Sequence, residues 1–343
     1  MKKAAVIGHF GFGKELLNGQ TIKTKVFTEE LDRCFGESEV LKVDTHGGVG
    51  SLVLALWRTI LCFCKCENIL IFPAHNGIRV FGPLCAFLKS IFHRKVHYVV
   101  IGGWLPGFLK GRELVRSLKK LDGIYVETYT MKTQMDELGF TNVSVMPNFK
   151  NLTSLMEEDL VYSQTEPYQM CTFSRVMKEK GIETAAEVIR LINREKGRKV
   201  FQLIVFGQME PGQEQWFEEL KKEYTDEMSY GGVIPYDKSV EALKFCYALL
   251  FPTEFYTEGI PGTILDAYAA GIPVIASKWE SFSDVVEEGI TGLGYTFGDK
   301  DELKELLDKV AMNPELLNSM KIHCLERAAD FSPRKMIEKL KLW

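Results

Sequence analysis

Short apolar runs alternate with amphipathic stretches along almost the whole 343-residue chain. In the first half, the runs at 3–8, 38–43, 67–72, 95–101, 122–127 and 142–146 predict strands. Helices are predicted between them at 20–35, 49–65, 78–91, 111–120 and 128–138. This alternation marks a parallel, doubly wound sheet, because parallel strands need a crossover and a helix usually supplies it. Segment 151–167 breaks the pattern with Asn151, Thr153, Ser154, three acids at 157–159, then Ser163, Gln164, Thr165 and Pro167, and predicts a linker. The alternation then resumes, with strands at 168–173, 200–206, 228–231, 247–251, 273–277 and 292–296. Helices are predicted at 181–196, 213–224, 237–245, 263–270, 281–288 and 299–311, and two more at 313–329 and 333–342 close the chain. The predicted fold class is α/β, with two doubly wound, Rossmann-like domains facing across a cleft. The expected divisions are 1–150, the linker 151–167, 168–325, and a helical segment 326–343 expected to cross back to the first domain. Ligands bind outside the carboxyl ends of such strands, so the loops after 8, 73, 101, 173, 206, 231 and 251 are the places to look.

Charge divides the chain unevenly. Residues 1–150 hold 20 Lys and Arg against 13 Asp and Glu, a net +7, while the remainder holds 22 against 33, a net −11. A basic first half suits an anionic partner. The chain opens directly on a strand, without a signal-peptide pattern. The most apolar stretch, 49–64, contains Arg58 and is shorter than the ~20 residues needed to cross a bilayer. It reads as a core helix, with a peripheral membrane role as the second reading. Residues 108–120 put Leu114, Val115, Leu118 and Leu121 on one stripe, ringed by Lys110, Arg112, Arg116, Lys119 and Lys120. This reads first as a solvated helix face, and second as an anionic-lipid surface. Cys62, Cys64 and Cys66 have no second Cys or His pair at ligand spacing, which argues against zinc. A reduced, cytoplasmic setting is the expectation.

The stretch Phe251–Ser277 carries the strongest chemical signal. An apolar strand ends at Pro252, a loop holds Glu258, Gly259, Ile260, Pro261 and Gly262, and a helix begins near Thr263. It stops at Gly271, where glycine takes the left-handed cap and Pro273 forbids continuation. A glycine-opened helix N-terminus presents free N–H groups and a positive dipole end. Glu258 and Asp266 flank it, and ionised carboxylates accept sugar hydroxyls. Asp266 in a first helical turn also reads as a dipole-complementing residue. Arg175 and Lys180, after the first strand of the second half, are cations able to hold a diphosphate; surface loops also carry such residues without function. Gly207 and Val233 follow the next two strands and join the candidate donor site.

In the first half, Gly8-His9-Phe10-Gly11-Phe12-Gly13-Lys14-Glu15 nearly matches a P-loop, but Glu15 stands where the hydroxyl must be, and the glycine spacing also fails the dinucleotide fingerprint. The loop is either a flexible connection or a backbone that approaches a phosphate or an acceptor. His75 and Asn76 follow the third strand, and Trp104 after the fourth is a candidate sugar platform. His9, His46, His93, His97 and His323 form no ligand pattern.

Together these residues resemble glycosyltransferase family 4, retaining GT-B enzymes that use nucleotide sugars. Ser174-Arg175 through Lys180-Gly181 is similar to the family's G-R-x-x-x-x-K-G motif, with Ser174 for the first glycine. Glu258 through Asp266, on to Gly271-x-Pro273, is similar to its Glu, seven residues, Glu motif, with Asp266 for the second acid. Pro147-Asn148 and Asn18-Gly19-Gln20 resemble its end of the first domain and its N-terminal loop. The resemblance implies donor binding by Arg175, Lys180, Glu258, Gly259, Ile260, Pro261, Gly262, Thr263 and Asp266, with Arg175, Lys180 and Glu258 central to catalysis. Glu258 would hold the donor hexose and Asp266 the ribose, the shorter Asp requiring a closer helix. The acceptor would meet Gly11, Gly13, Asn18, Gly19, Gln20, His75, Asn76 and Trp104.

The expected activity is therefore transfer of a hexose-type sugar, most simply from a UDP-sugar, to a glycan or a lipid-diphosphate-linked saccharide in bacterial surface polysaccharide synthesis. No metal, no separate cofactor and no nucleic acid are expected, and the inner face of the cell membrane is a candidate location. Two other classes stay open: a sugar-nucleotide epimerase or phosphorylase-like enzyme, and a non-catalytic partner subunit. Conversion of the donor to an isomer without acceptor would mark the first.

Overall fold

The computed structural model of the chain describes residues 1–13 and 19–340, and these form two compact units, the described residues up to 151 together with 331–340, and 152–330. Each unit is built on a six-stranded parallel sheet.

The first unit runs β1 Lys2–Gly8, α1 Gly19–Phe35, β2 Val40–Asp44, α2 Val49–Lys65, β3 Cys66–Ile71, α3 His75–Phe92, β4 Lys95–Val99, α4 Leu105–Leu109, α5 Leu114–Leu118, β5 Gly123–Val126, α6 Tyr129–Glu137 and β6 Val143–Val145. The strand order is β2-β1-β3-β4-β5-β6. β1 sits between β2 and β3, with Ile7 opposite both Val43 and Ile71. Ala4, Ala5, Val6 and Ile7 are fully buried, as continuous apolar strands are when helices cover both faces of a parallel sheet.

The second unit runs β7 Tyr168–Phe173, α7 Ile182–Lys196, β8 Phe201–Phe206, α8 Glu214–Glu223, β9 Met228–Gly232, α9 Ser239–Leu243, β10 Ala248–Phe251, α10 Gly262–Ala269, β11 Val274–Ser277, α11 Phe282–Val285, β12 Gly292–Tyr295, α12 Lys300–Met312, α13 Glu315–Asn318 and α14 Lys321–Ala328. Its strand order is β12-β11-β10-β7-β8-β9. α7 buries Ile182, Ala185, Ala186, Ile189 and Ile192 at helical spacing and ends at Gly197 in the left-handed region. Residues 152–167 lie on this unit: Leu155 N–H donates to the Ala269 carbonyl over 2.9 Å, and Leu160 is buried against Gly271. α15 Pro333–Glu338 packs on α1 of the first unit and buries Met336 and Ile337.

Every predicted strand has its counterpart, with ends within two residues. The helices depart more. The predicted 111–120 helix is the shorter α5, and α4, which no predicted helix covered, precedes it, the two parted by Gly111 at φ +69°. The predicted 313–329 helix splits into α13 and α14, and 281–288 shrinks to α11. α3 begins three residues before the predicted 78, at His75. Among the described residues no helix is long and apolar enough to cross a membrane.

His97 on β4 ties the first unit to pH. The side chain is buried, its Nδ1 lies 3.2 Å from the Tyr125 hydroxyl, and its Nε2 has no partner. Burial pushes its pKa from 6.5 down to about 4. Between these values the unfolded chain binds the proton and the folded chain does not, so stability is lost as pH falls from 6.5 through 4. Urea unfolding across this window should show His97→Leu losing roughly 2–3 kcal/mol less than the wild type. An identical pH slope in the variant would remove His97 from this account.

Candidate active site

In the second unit the chain enters at β7, builds outward through β8 and β9, and returns to lay β10 on the other side of β7. The crossovers after β7 and β10 therefore leave in opposite directions, and a crevice opens between their carboxyl ends, where open α/β sheets bind ligands. Two loops meet there, Ser174–Gly181 after β7 and Pro252–Pro261 after β10.

The backbones of these loops are locked together. Glu254 N–H donates to the Glu179 carbonyl over 2.9 Å, and the Ser277 hydroxyl donates to the Thr253 carbonyl over 2.8 Å. Gly181, at φ +68°, lies so close to Pro252 that a Cβ would sit 2.0 Å from its carbonyl oxygen. Gly207, at φ +140°, lies under the β7 loop, where a Cβ would sit 1.6 Å from the Ser174 carbonyl oxygen. Both positions combine a left-handed backbone with a backbone-to-backbone approach that only glycine allows.

Across this seam the Lys180 ammonium pairs with Glu258 Oε1, and both side chains are mostly buried. Lys180 also lies over the rings of Phe255 at 4.8 Å and Phe251 at 5.6 Å, faces that favour a cation. Partial burial strengthens the attraction and also penalises either charge left alone, so the two groups hold one another in place. The Thr253 hydroxyl lies 3.4 Å from the same Glu258 oxygen. Arg175 does not join Lys180: its guanidinium is half-exposed and bonds Glu210 at 2.8 Å, in the loop after β8. Instead of one cation pair, the loop carries two cations with separate carboxylate partners.

α10 starts at Gly262 behind Pro261, and no side chain caps it. Gly259, Ile260 and Pro261 are buried beside it, and the Thr263 hydroxyl is buried without a hydrogen-bond partner. Uncapped N–H groups with an unsatisfied hydroxyl can receive an anion or a sugar oxygen. Asp266 is not in the first turn of α10, which holds no acid. The helix begins one residue before the predicted Thr263, so Asp266 falls in the second turn, where it is 1% exposed and accepts from the Ser239 hydroxyl at 2.7 Å. The dipole-complementing reading of Asp266 is thereby overturned. Val233, after β9, is exposed.

The first unit has its own switch point, between β1 and β3. Asp44, at the end of β2, gathers the loop after β1: Oδ1 accepts from Phe10 and His46 N–H at 2.9 and 2.8 Å, and Oδ2 from Phe12 N–H at 3.0 Å. Burial alone would raise its pKa, but these backbone donors outweigh it and hold the carboxyl below its usual range. Gly11 and Gly13 turn this loop with positive φ. Gly19 opens α1, and the Gln20 amide donates to the Phe72 carbonyl at 3.1 Å. Asn18 lies outside the described residues. His9 and His46, set aside in the sequence, meet here: His9 Nε2 is 2.7 Å from His46 Nδ1, and His9 Nδ1 is 2.7 Å from the Thr21 hydroxyl. Burial, and then His46, lower the His9 pKa. The signal for this pair is register, since Gly8 pairs with Asp44 and each histidine follows its strand end by one or two residues.

His75 opens α3 rather than lying in a free loop, and its ring stacks on Trp104 at 3.9 Å and 28°. One face of the expected sugar platform is thus covered by the imidazole. Trp104 Nε1 donates to the Ile101 carbonyl at 2.8 Å, and Asn76 is exposed beside His75.

Residues 161–323, nearly all of the second unit, match the family model described as glycosyl transferases group 1. A relative, the amylovoran biosynthesis glycosyltransferase AmsK of Erwinia amylovora, is 23% identical over 151 residues, which is 41% of this chain and 35% of that protein. Among solved structures, sucrose-phosphate synthase from Thermosynechococcus elongatus superposes with a TM-score of 0.73 at 15% identity, covering 98% of this chain and 96% of its own. HepE of Anabaena, solved in complex with UDP, gives 0.73 at 14% identity over 99% and 98%. The lipopolysaccharide outer core galactosyltransferase WaaB gives 0.68 at 15% over 99% and 98%. The chain therefore has the GT-B fold of two Rossmann-like units, and its second unit matches glycosyltransferases in sequence.

Gly212 separates backbone strain from close approach, since it has φ +86° with open space around its Cα. Gly207→Ala and Gly181→Ala should each lower stability by about 2–4 kcal/mol, against ~1 kcal/mol for Gly212→Ala. Denaturant unfolding of the three variants checks this, and equal losses would disprove the locked-loop reading.

Proposed function

We propose that the chain is a retaining glycosyltransferase of the family 4 type, moving a hexose from a UDP-sugar to a glycan or lipid-linked saccharide. The observation that carries this reading is the Lys180–Glu258 pair at the switch point of the second unit. On donor binding Lys180 exchanges its carboxylate partner for the diphosphate, and Glu258 turns to the hexose hydroxyls. Arg175 joins on the diphosphate side, giving up Glu210. The uncapped start of α10, with Gly259 to Thr263, receives phosphate or sugar oxygens, and Asp266 receives the ribose hydroxyls. Gly207 and Val233 border the nucleotide.

In the reaction the bond from the anomeric carbon to the diphosphate oxygen breaks as an acceptor hydroxyl adds to the same face of the sugar. The acceptor's proton passes to the departing diphosphate. Negative charge grows on that leaving group, and fixed cations and N–H dipoles stabilise developing charge more than they stabilise the ground state. Metal independence belongs to this proposal, with the lysine and arginine doing what a divalent cation would otherwise do. The acceptor side is assigned to the first unit, at Gly11, Gly13, Gly19, Gln20, His75, Asn76 and Trp104. HepE in complex with UDP supports the choice of nucleotide, and AmsK, named for amylovoran biosynthesis, supports a polysaccharide product. A location at the inner membrane face, where lipid-linked acceptors lie, completes the reading.

Lys180→Ala and Glu258→Gln should each lower product formation by about 10²–10³-fold in a purified transfer assay, with the fold intact by circular dichroism. EDTA should leave the rate unchanged. Undiminished turnover in either variant would refute the site, and abolition by EDTA would refute metal independence.

A further inference from the structure

The helical layer formed by α2, α3, α4 and α5 has a second apolar surface that the fold does not use. The crossovers from β2 to β3, β3 to β4 and β4 to β5 all advance the same way along the sheet, so right-handed connections put these helices on one face. α2 packs on α3, and α3 on α5. The inner stripe of α2, with Ala55, Cys62 and Phe63, and that of α3, with Ile78, Phe81 and Cys85, fill the core. Their outer stripes are apolar as well. Val53, Leu54, Trp57 and Leu61 stand exposed on α2 at helical spacing, and Val80, Phe87 and Ile91 on α3. Trp57 is 60% and Phe87 62% exposed, unusual for side chains of this size. The segment 49–64, expected as a core helix, therefore has a core face and a bare face.

The part of the chain that carries the bare face is rich in cations. From 49 to 122 the chain has eleven Lys and Arg against three acids, Glu67, Glu113 and Asp122, the last paired with Lys89 at 2.9 Å. Glu113 is spent on Arg116, 2.9 Å away. Beside the α3 stripe lies a cavity of about 430 Å³, lined by Arg79, Pro83, Arg112, Glu113, Leu114 and Ser117. Both guanidiniums lie over the Phe108 ring, Arg79 at 5.1 Å and Arg112 at 4.3 Å, which orders two donors around a space able to take a phosphate. Exposed apolar side chains with arginines beside them, and Arg58 among them on α2, match the depth profile of a bilayer, with acyl chains beneath anionic headgroups and long cationic side chains reaching up to them. A second copy of this chain fits worse, because it would press two basic faces together.

We propose that this face docks on a bilayer containing anionic phospholipid, with Trp57 and Phe87 entering the acyl boundary and Arg79 and Arg112 holding headgroup phosphates. The inference deepens the membrane-face part of the function proposed above and is independent of donor chemistry.

Sedimentation with phosphatidylcholine vesicles, with and without phosphatidylglycerol, tests it. The wild type should pellet with the anionic vesicles only, and less so as salt rises. Arg79→Gln with Arg112→Gln should weaken binding ~30-fold at low salt. Trp57→Ser with Phe87→Ser should weaken it at least about tenfold. Both double variants should keep the wild-type melting temperature and its UDP-sugar-induced shift, so a failed donor proposal and a failed docking proposal give different results. Absence of wild-type binding to anionic vesicles would overturn the proposal, as would unchanged binding in both double variants. A wild-type dimer that Trp57→Ser with Phe87→Ser splits, without any vesicle binding, would overturn it in favour of self-association.

Discussion

The Lys180–Glu258 ion pair is the interaction around which the second unit is arranged. Neither charge is comfortable alone in its mostly buried place between Phe251, Phe255 and Thr253. The pair exists because β7 and β10 are neighbours at the point where the strand order reverses, so the loops that follow them emerge side by side. Gly181 and Gly207 then let the backbones close to distances no side chain would permit. Under the proposed function the ligand offers the lysine a diphosphate and the glutamate a hydroxyl, so that each charge leaves one partner for another.

The two units apply one plan with different local chemistry. In the second, a salt bridge and two glycines shape the switch point. In the first, one carboxylate does that work, since Asp44 holds the β1 loop by its N–H groups and sets His46 against His9. The outward apolar stripes of α2 and α3 add a surface that core packing does not account for.

The twelve strands were legible because parallel strands buried on both faces read as unbroken apolar runs. The order of strands was not, since every crossover looks alike in one dimension, and with it went the contact between His9 and His46, which depends on β1 and β2 being neighbours. α4 went unseen because five residues opened by Leu105-Pro106 and closed before Gly111 are too short to show a helical period. Lys180 and Glu258 were visible singly, but their pairing depends on β7 lying beside β10. Asp266 was misplaced by one turn's worth of meaning: a one-residue shift in the start of α10 separates a dipole-capping acid from a buried one bonded to Ser239. α2 was read as a core helix because a sequence apolar on two faces does not tell which face the sheet covers.

Calorimetric titration of UDP and of UDP-glucose into the wild type, Lys180→Met and Glu258→Gln tests the exchange of partners most directly. The account predicts that Lys180→Met weakens both ligands at least about tenfold, because a charge-assisted contact to the diphosphate is gone. It also predicts that Glu258→Gln leaves UDP bound as well as in the wild type, or better, and weakens UDP-glucose relative to UDP. Wild-type affinity for UDP in Lys180→Met would contradict it.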